Sequence, residues 1–276
     1  MSEVTDAPAR TESSSARGPL QGSHIWYELM TTDPDGAAKF YGAVVGWSVG
    51  ERIPGNQDYR MIGRGDGGFA GGVFGLKQEE LDHGARPAWL GYIGAEDVDA
   101  TVAQIEAKGG KTLMPAFDIP QGRIAMVADP QGNPFYVMKP NPPAEDPDAQ
   151  SDVFSPDAEQ RVSWNELSTP DPAAARSFYG ELFGWKSDDF MDMGEYGEYR
   201  FFDHGPVRIG AVCGVSPGSS QGWRYYVNVP SISKAVKTVQ ASGGAISVGP
   251  HDIPGGAQII IGRDPQGAEF ALVGKA

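Results

Sequence analysis

The sequence predicts an α+β chain in which one βαβββ module is used four times, two modules to a domain and two domains in tandem. Three observations predict it. A long internal repeat runs through the chain, the same Asp-Pro pair opens a helix in both copies, and a Pro- and acid-rich segment separates them.

The repeat is read directly. Sliding residues 26–47 onto 164–185 gives 12 identities in 22 positions, including "FYG" at 40–42 and 178–180 and "GW" at 46–47 and 184–185. Further markers keep the same order: "YR" at 59–60 and 199–200, Trp89 and Tyr92 with Trp223 and Tyr226, "DIP" at 118–120 and 252–254, and "DPQG" at 129–132 and 264–267. A nearly constant offset of 134 to 140 means one fold used twice. The expected boundaries are a disordered tail over 1–21, a first domain over 22–139, an extended linker over 140–160 and a second domain over 161–275.

Each element has a local reason. Residues 24–31 alternate as a strand, with Tyr27, Leu29 and Thr31 on one face and Trp26, Glu28 and Met30 on the other. Asp33 supplies a helix cap, Pro34 fits the first turn, and Gly46 suits a left-handed exit. Asp171, Pro172 and Gly184 repeat that design. Gly-rich strands follow at 71–76 and 210–215. A second unit starts at "AWLGYIGA" and continues into the helix of "EDVDATVAQIEAKGG", where Val98, Val102 and Ile105 share a face. Two strands joined by the "DPQG" turn close each domain.

Composition excludes several classes. With 22 basic and 36 acidic residues the formal charge is −14 and the isoelectric point about 4.6, so nucleic acid and anionic membranes are not expected partners. Cys213 is the only cysteine, which removes intrachain disulfides and cysteine-rich zinc sites. The N-terminal stretch lacks a signal-peptide core and no apolar run reaches membrane length, so a cytoplasmic protein is the expectation.

The strand "WYELMTTDP", the helix carrying "FYG…GW", the strand before "EDVDATVAQIEAKGG" and the closing "DPQGNPFYV" resemble the vicinal oxygen chelate superfamily, the glyoxalase/bleomycin resistance/dioxygenase group. The chain looks most like its tandem two-domain glyoxalase-like or hydroxylase members. That resemblance implies sheets curled into cups or incomplete barrels, with helices outside and a ligand cavity inside. It implies lyase, oxygenase or non-catalytic binding activities, and in the enzymes a divalent metal held from the first strand of each module and the last strand. The corresponding positions here are Trp26, Leu90 and Tyr136 in the first domain and Trp164, Arg224 and Ala271 in the second. The expectation is therefore no standard metal site and no cofactor, with a displaced metal on Glu28 or Glu166 as the alternative.

Glu28 and Glu166 share the cup-facing parity. They are the candidate catalytic residues, as general base or metal anchor, or else buried carboxylates partnered by Arg60 and Arg200 or by the hydroxyls of Tyr59 and Tyr199. Trp26, Tyr59, Arg60, Tyr92, Tyr136, Trp164, Tyr199, Arg200 and Tyr226 are the candidate ligand contacts, and Trp89 and Trp223 are expected at the cup rims. His24 shares the cup parity, the Gly-rich 63–72 segment reads as a flexible loop, and Arg123 as a solvated arginine. The preferred reading is a protein that binds a small hydrophobic or aromatic molecule. The alternative is a glyoxalase-like lyase or an oxygenase. Tandem domains pair within one chain, so a monomer is favoured over a dimer.

Overall fold

The first module comprises β1 (His24–Thr31), α1 (Pro34–Val45), β2 (Ser48–Val49), β3 (Asp58–Gly63) and β4 (Phe69–Gly75). After the short α2 (Gln78–Asp82) come β5 (Ala88–Gly94), α3 (Val98–Ala107), β6 (Lys111–Ile119), β7 (Gly122–Ala128) and β8 (Pro134–Pro140). The second domain repeats the plan with β9 (Val162–Ser168), α4 (Pro172–Phe183), β10 (Phe190–Asp192), β11 (Glu198–His204) and β12 (Val207–Cys213), then β13 (Gly222–Val229), α5 (Ile232–Ala241), β14 (Ala245–Asp252), β15 (Gln258–Arg263) and β16 (Glu269–Gly274). These elements come from a computed structural model that describes residues 20–55, 57–146, 149–216 and 219–276. The expected tail, up to residue 19, lies outside the described residues.

Each domain forms one eight-stranded mixed sheet, in the orders β2-β3-β4-β1-β5-β8-β7-β6 and β10-β11-β12-β9-β13-β16-β15-β14. The two modules of a domain meet where β1 runs antiparallel to β5, and β9 to β13. The sheets stay unclosed and curve into cups. Alternation along β1 puts the fully buried Tyr27 and Leu29 on the convex side and Trp26, Glu28 and Met30 on the concave side. The caps form as expected: Asp33 accepts from Gly36 N at 2.9 Å, Asp171 accepts from Ala174 N at 3.0 Å, and Gly46 and Gly184 take φ of 85° and 70°.

Helices α1, α3, α4 and α5 lie outside the cups, each with one face buried toward the convex sheets and the other exposed. Helix α1 packs against α5, and α3 against α4, so the convex faces of the two domains enclose a shared core. One cluster combines Tyr27, Leu29 and Phe40 with Tyr225, Ile232 and Phe270; another combines Ile93, Ile105 and Phe135 with Tyr179, Phe183 and Phe202. Polar contacts across this interface repeat with the two-fold character of the sequence. Tyr41 Oη donates to Asp264 Oδ2 at 3.0 Å and Tyr179 Oη to Asp129 Oδ2 at 3.1 Å. Trp89 and Trp223 donate to those same tyrosine oxygens at 2.9 and 3.1 Å. Tyr27 Oη donates to Asn165 Oδ1 at 2.8 Å, and Gly91, where a Cβ would strike the Tyr225 ring, lets its N–H donate to Tyr225 Oη at 2.8 Å.

Three expectations are corrected here. Trp89 and Trp223 do not rim the cups; they sit between the domains, where they border a small cleft of about 210 Å³. His24 leaves the cup because a bulge between it and Trp26 breaks the alternation, and its ring packs 5.4 Å from that of Trp185 in the interdomain core. The described part of the linker is fastened to the first domain and to the start of β9. Ser151 Oγ donates to Ile25 O, Val153 is buried, and Asp152 pairs with Arg64 at 2.7 Å and Arg161 at 2.8 Å. Arg64 is itself buried, and a buried guanidinium demands such partners. The same arginine fixes the Gly-rich turn, so 63–72 is a held hairpin; Pro147 and Asp148 lie outside the described residues.

Candidate functional site

The first cup is built around Glu28. It projects from the middle of β1, opposite Leu90 on β5 and beside Gly72 on β4. A side chain at Gly72 would collide with the Tyr59 hydroxyl, so glycine there is what admits that ring. Tyr92 Oη donates to Glu28 Oε2 at 2.9 Å, and Tyr92 stacks on Tyr136 with ring centroids 4.2 Å apart. Trp26 Nε1 donates to Tyr59 Oη at 2.9 Å. Burial in this apolar setting pushes the Glu28 carboxyl up to about 7, with the hydroxyls of Tyr92, Tyr136 and Tyr59 pulling the other way. Its Oε1 is buried and receives no hydrogen bond from the described residues.

Much of the rest of the inner wall is apolar. Met30, Met61, Met114, Met126 and Met138 all line it, and the exposed Ile53, Phe69, Leu113 and Phe117 border the same space. That space is continuous over about 2390 Å³ because it runs out along the linker to His204 of the second domain. A typical ligand pocket needs roughly 300–1,000 Å³, so room is not limiting.

The second cup repeats the frame with different chemistry. Trp164 Nε1 donates to Tyr199 Oη at 2.8 Å, and Tyr199 Oη donates to Glu166 Oε2 at 2.7 Å. Glu166 faces Arg224 across the β9–β13 ladder, and Arg224 Nη1 donates to Glu166 Oε1 at 2.6 Å. Arg224 Nε also donates to Glu269 Oε1 at 2.9 Å. Tyr226 Oη lies 3.3 Å from Glu166 Oε1. Where the first cup has Leu90, Pro134 and Tyr136, the second has Arg224, Glu269 and Ala271.

The structure thus brings Trp26, Glu28, Tyr59, Tyr92 and Tyr136 together in one cup, and Trp164, Glu166, Tyr199 and Tyr226 in the other. It does not bring in the repeated arginines. Arg60 pairs with Asp58 at 2.8 Å and with Asp35, and Arg200 pairs with Glu198 at 2.7 Å, so the expected Glu28–Arg60 and Glu166–Arg200 pairs are not formed. Both arginines lie one residue beyond a cup-facing tyrosine, and strand alternation turns them outward. Glu166 takes the Tyr199 hydroxyl, one of the partners expected for it, and its charged partner is Arg224, which sequence reasoning placed on the cup wall but did not assign. The methionine lining was also missed, although its signal was legible in the alternate spacing of Met126 with Ile124, and Met138 with Tyr136. Arg123 is paired at the surface with Asp99 and Asp118, and burial pushes the Cys213 thiol up to about 12. Among the described residues no three His, Cys, Asp or Glu side chains come together where they could hold a metal ion.

The model of the Glyoxalase/Bleomycin resistance protein/Dioxygenase superfamily matches residues 24–137 and again 161–272. The chain belongs to that superfamily. It is 29% identical over 256 residues to "Putative glyoxylase CFP32" of Mycobacterium tuberculosis, covering 92% of this chain and 95% of the relative. It is 26% identical over 267 residues to the "Anthracycline biosynthesis protein DauV" of Streptomyces sp. strain C5, covering 91% and 93%. In fold it is similar to a variant of homoprotocatechuate 2,3-dioxygenase from B. fuscum in complex with HPCA, with a TM-score of 0.63 and 19% identity over 96% of this chain and 74% of that one. The Mn(II)-bound glyoxalase from Novosphingobium aromaticivorans gives 0.61 and 17%, covering 92% and 83%. No helix among the described residues is long and apolar enough to cross a membrane.

Proposed function

We propose that the first cup binds a flat, largely apolar aromatic small molecule and does so without the metal of the superfamily's enzymes. The observation that carries the reading is Glu28: one buried carboxyl with an unpartnered oxygen, in a wall of Trp26, Tyr59, Tyr92, Tyr136 and five methionines. Aromatic faces and unbranched thioethers take up planar apolar surface, and a single polar group orients it. A relative of similar length, DauV, is named as an anthracycline biosynthesis protein, which supports the same class of ligand here. The positions that hold metal in superfamily enzymes offer Trp26, Leu90 and Tyr136 in this cup and Trp164, Arg224 and Ala271 in the other. One phenol and a cation do not fit a divalent ion. The second cup, with its carboxylate already paired to Arg224, serves on this reading as the scaffold that completes the shared core, and the chain acts as a monomer.

A second reading is acid–base catalysis, and the carboxyl raised to about 7 favours it, since a group poised near neutrality takes and returns protons readily. Glu28 would then be the base and Tyr92 or Tyr59 the neighbouring acid. One experiment addresses both. Protein purified without chelator or affinity metal is analysed for Ni, Zn, Fe and Mn and then titrated with a panel of polycyclic aromatic compounds. Metal below stoichiometry with saturable binding is expected. Stoichiometric metal, or a cup that no aromatic compound occupies, would sink the proposal. Turnover of a bound compound that is lost in Glu28→Gln while binding persists would select the catalytic reading.

A further inference from the structure

The two cups differ at one electrostatic point, and the difference identifies what the first cup lacks. In the second, Glu166 Oε1 receives the Arg224 guanidinium at 2.6 Å, and Glu269 backs that arginine. In the first, the matching ladder partner of Glu28 is Leu90, the residue matching Glu269 is Pro134, and Glu28 Oε1 has no donor among the described residues. We propose that the first cup selects aromatic molecules bearing a protonated amine, the ammonium taking on Glu28 Oε1 the place that Arg224 takes on Glu166. The inference rests on the reading of that cup as the binding site.

Everything facing the site favours a cation. Glu28 is surrounded by the aromatic side chains of Trp26, Tyr59, Tyr92 and Tyr136, a class of wall that attracts ammonium groups. Among the described residues no basic side chain forms an ion pair with the Glu28 carboxyl. Of the arginines bordering the wider space, Arg161 is ion-paired with Asp66 and Asp152, and Arg86 donates to the carbonyls of Leu81 and Ala85. His24, at the interdomain end, is held neutral by burial, which takes its pKa down to about 3. The chain's formal charge of −14 raises the local concentration of cations and lowers that of anions. A bound ammonium would stabilise the ionised form of Glu28 and supply the charge-assisted hydrogen bond that its second oxygen is missing.

The test uses the full chain and three probes of one shape: 9-(aminomethyl)anthracene, 9-anthracenemethanol and 9-anthracenecarboxylate, titrated by fluorescence at pH 7.5. The amine should bind about tenfold more tightly than the alcohol, the margin of one charge-assisted bond, and the carboxylate least. Glu28→Gln and Leu90→Arg should each erase the preference for the amine. The arginine variant has a folded precedent in the second cup, so it guards against a failure of the glutamine variant to fold. Equal binding of amine and alcohol to the wild-type protein overturns the inference and leaves the cup reading standing. An amine preference that survives both variants overturns it too, since the cation then sits elsewhere. If none of the probes binds the wild-type chain, the cup reading falls and the inference with it.

Discussion

Arg224 Nη1 stands 2.6 Å from Glu166 Oε1 in a cup where both side chains are largely shielded from water. Neither charge has comparable hydration, so each depends on the other. Arg224→Leu, the residue found at the matching point of the first domain, should cost about 3 kcal/mol or more in urea denaturation, because it strands a buried carboxylate. Adding Glu166→Gln should recover most of that loss. Strict additivity of the two changes would show that the pair is not coupled.

Glu28 gives the opposite sign of pH dependence to an ion-paired carboxylate. Its folded pKa, about 7, lies above the unfolded value of 4.5, so its contribution to stability is fully present below pH 4.5 and is lost as the pH rises through 7. Glu28→Gln removes the titration. Between pH 4.5 and pH 8 the wild-type protein should lose about 3 kcal/mol relative to the glutamine variant. Parallel stability curves for the two proteins over that window would contradict the placement of an unpaired carboxyl in the cup.

The reciprocal bonds Tyr41–Asp264 and Tyr179–Asp129 tie each domain to the last hairpin of the other. Tyr41→Phe and Tyr179→Phe should each destabilise the chain by about 1 kcal/mol, and the double variant by their sum, since the two sites share no partner. Calorimetry should show one transition throughout, because the apolar clusters draw side chains from both domains. Two separate transitions in the wild-type protein would mean that the cores are independent.

Most of the fold was legible because its signals are local or repeated. Asp33-Pro34 and Asp171-Pro172 start helices through bonds made within three residues, and Gly46 and Gly184 end them through backbone conformation alone. The alternation of β1 placed Trp26 and Glu28 on one face correctly. It misplaced His24, because one bulge beyond the reach of sequence pattern reversed the parity. It also left open the partners of the glutamates: Arg60 and Arg200 repeat in step with them, yet each is drawn to acids close by in sequence, Asp58 and Glu198.

The sequence alone determined that one βαβββ unit is used four times, where its helices begin and end, and which strand face carries the carboxylates. Those features follow from caps, periodicity and repetition, all of which act over a few residues. Tertiary structure decided that α1 packs on α5 and α3 on α4 across the two domains, that Trp89 and Trp223 belong to that interface, and that Glu166 has a cation where Glu28 has Leu90. These depend on which strands lie side by side, and a ladder pairs residues far apart in the chain whose meeting no local preference encodes.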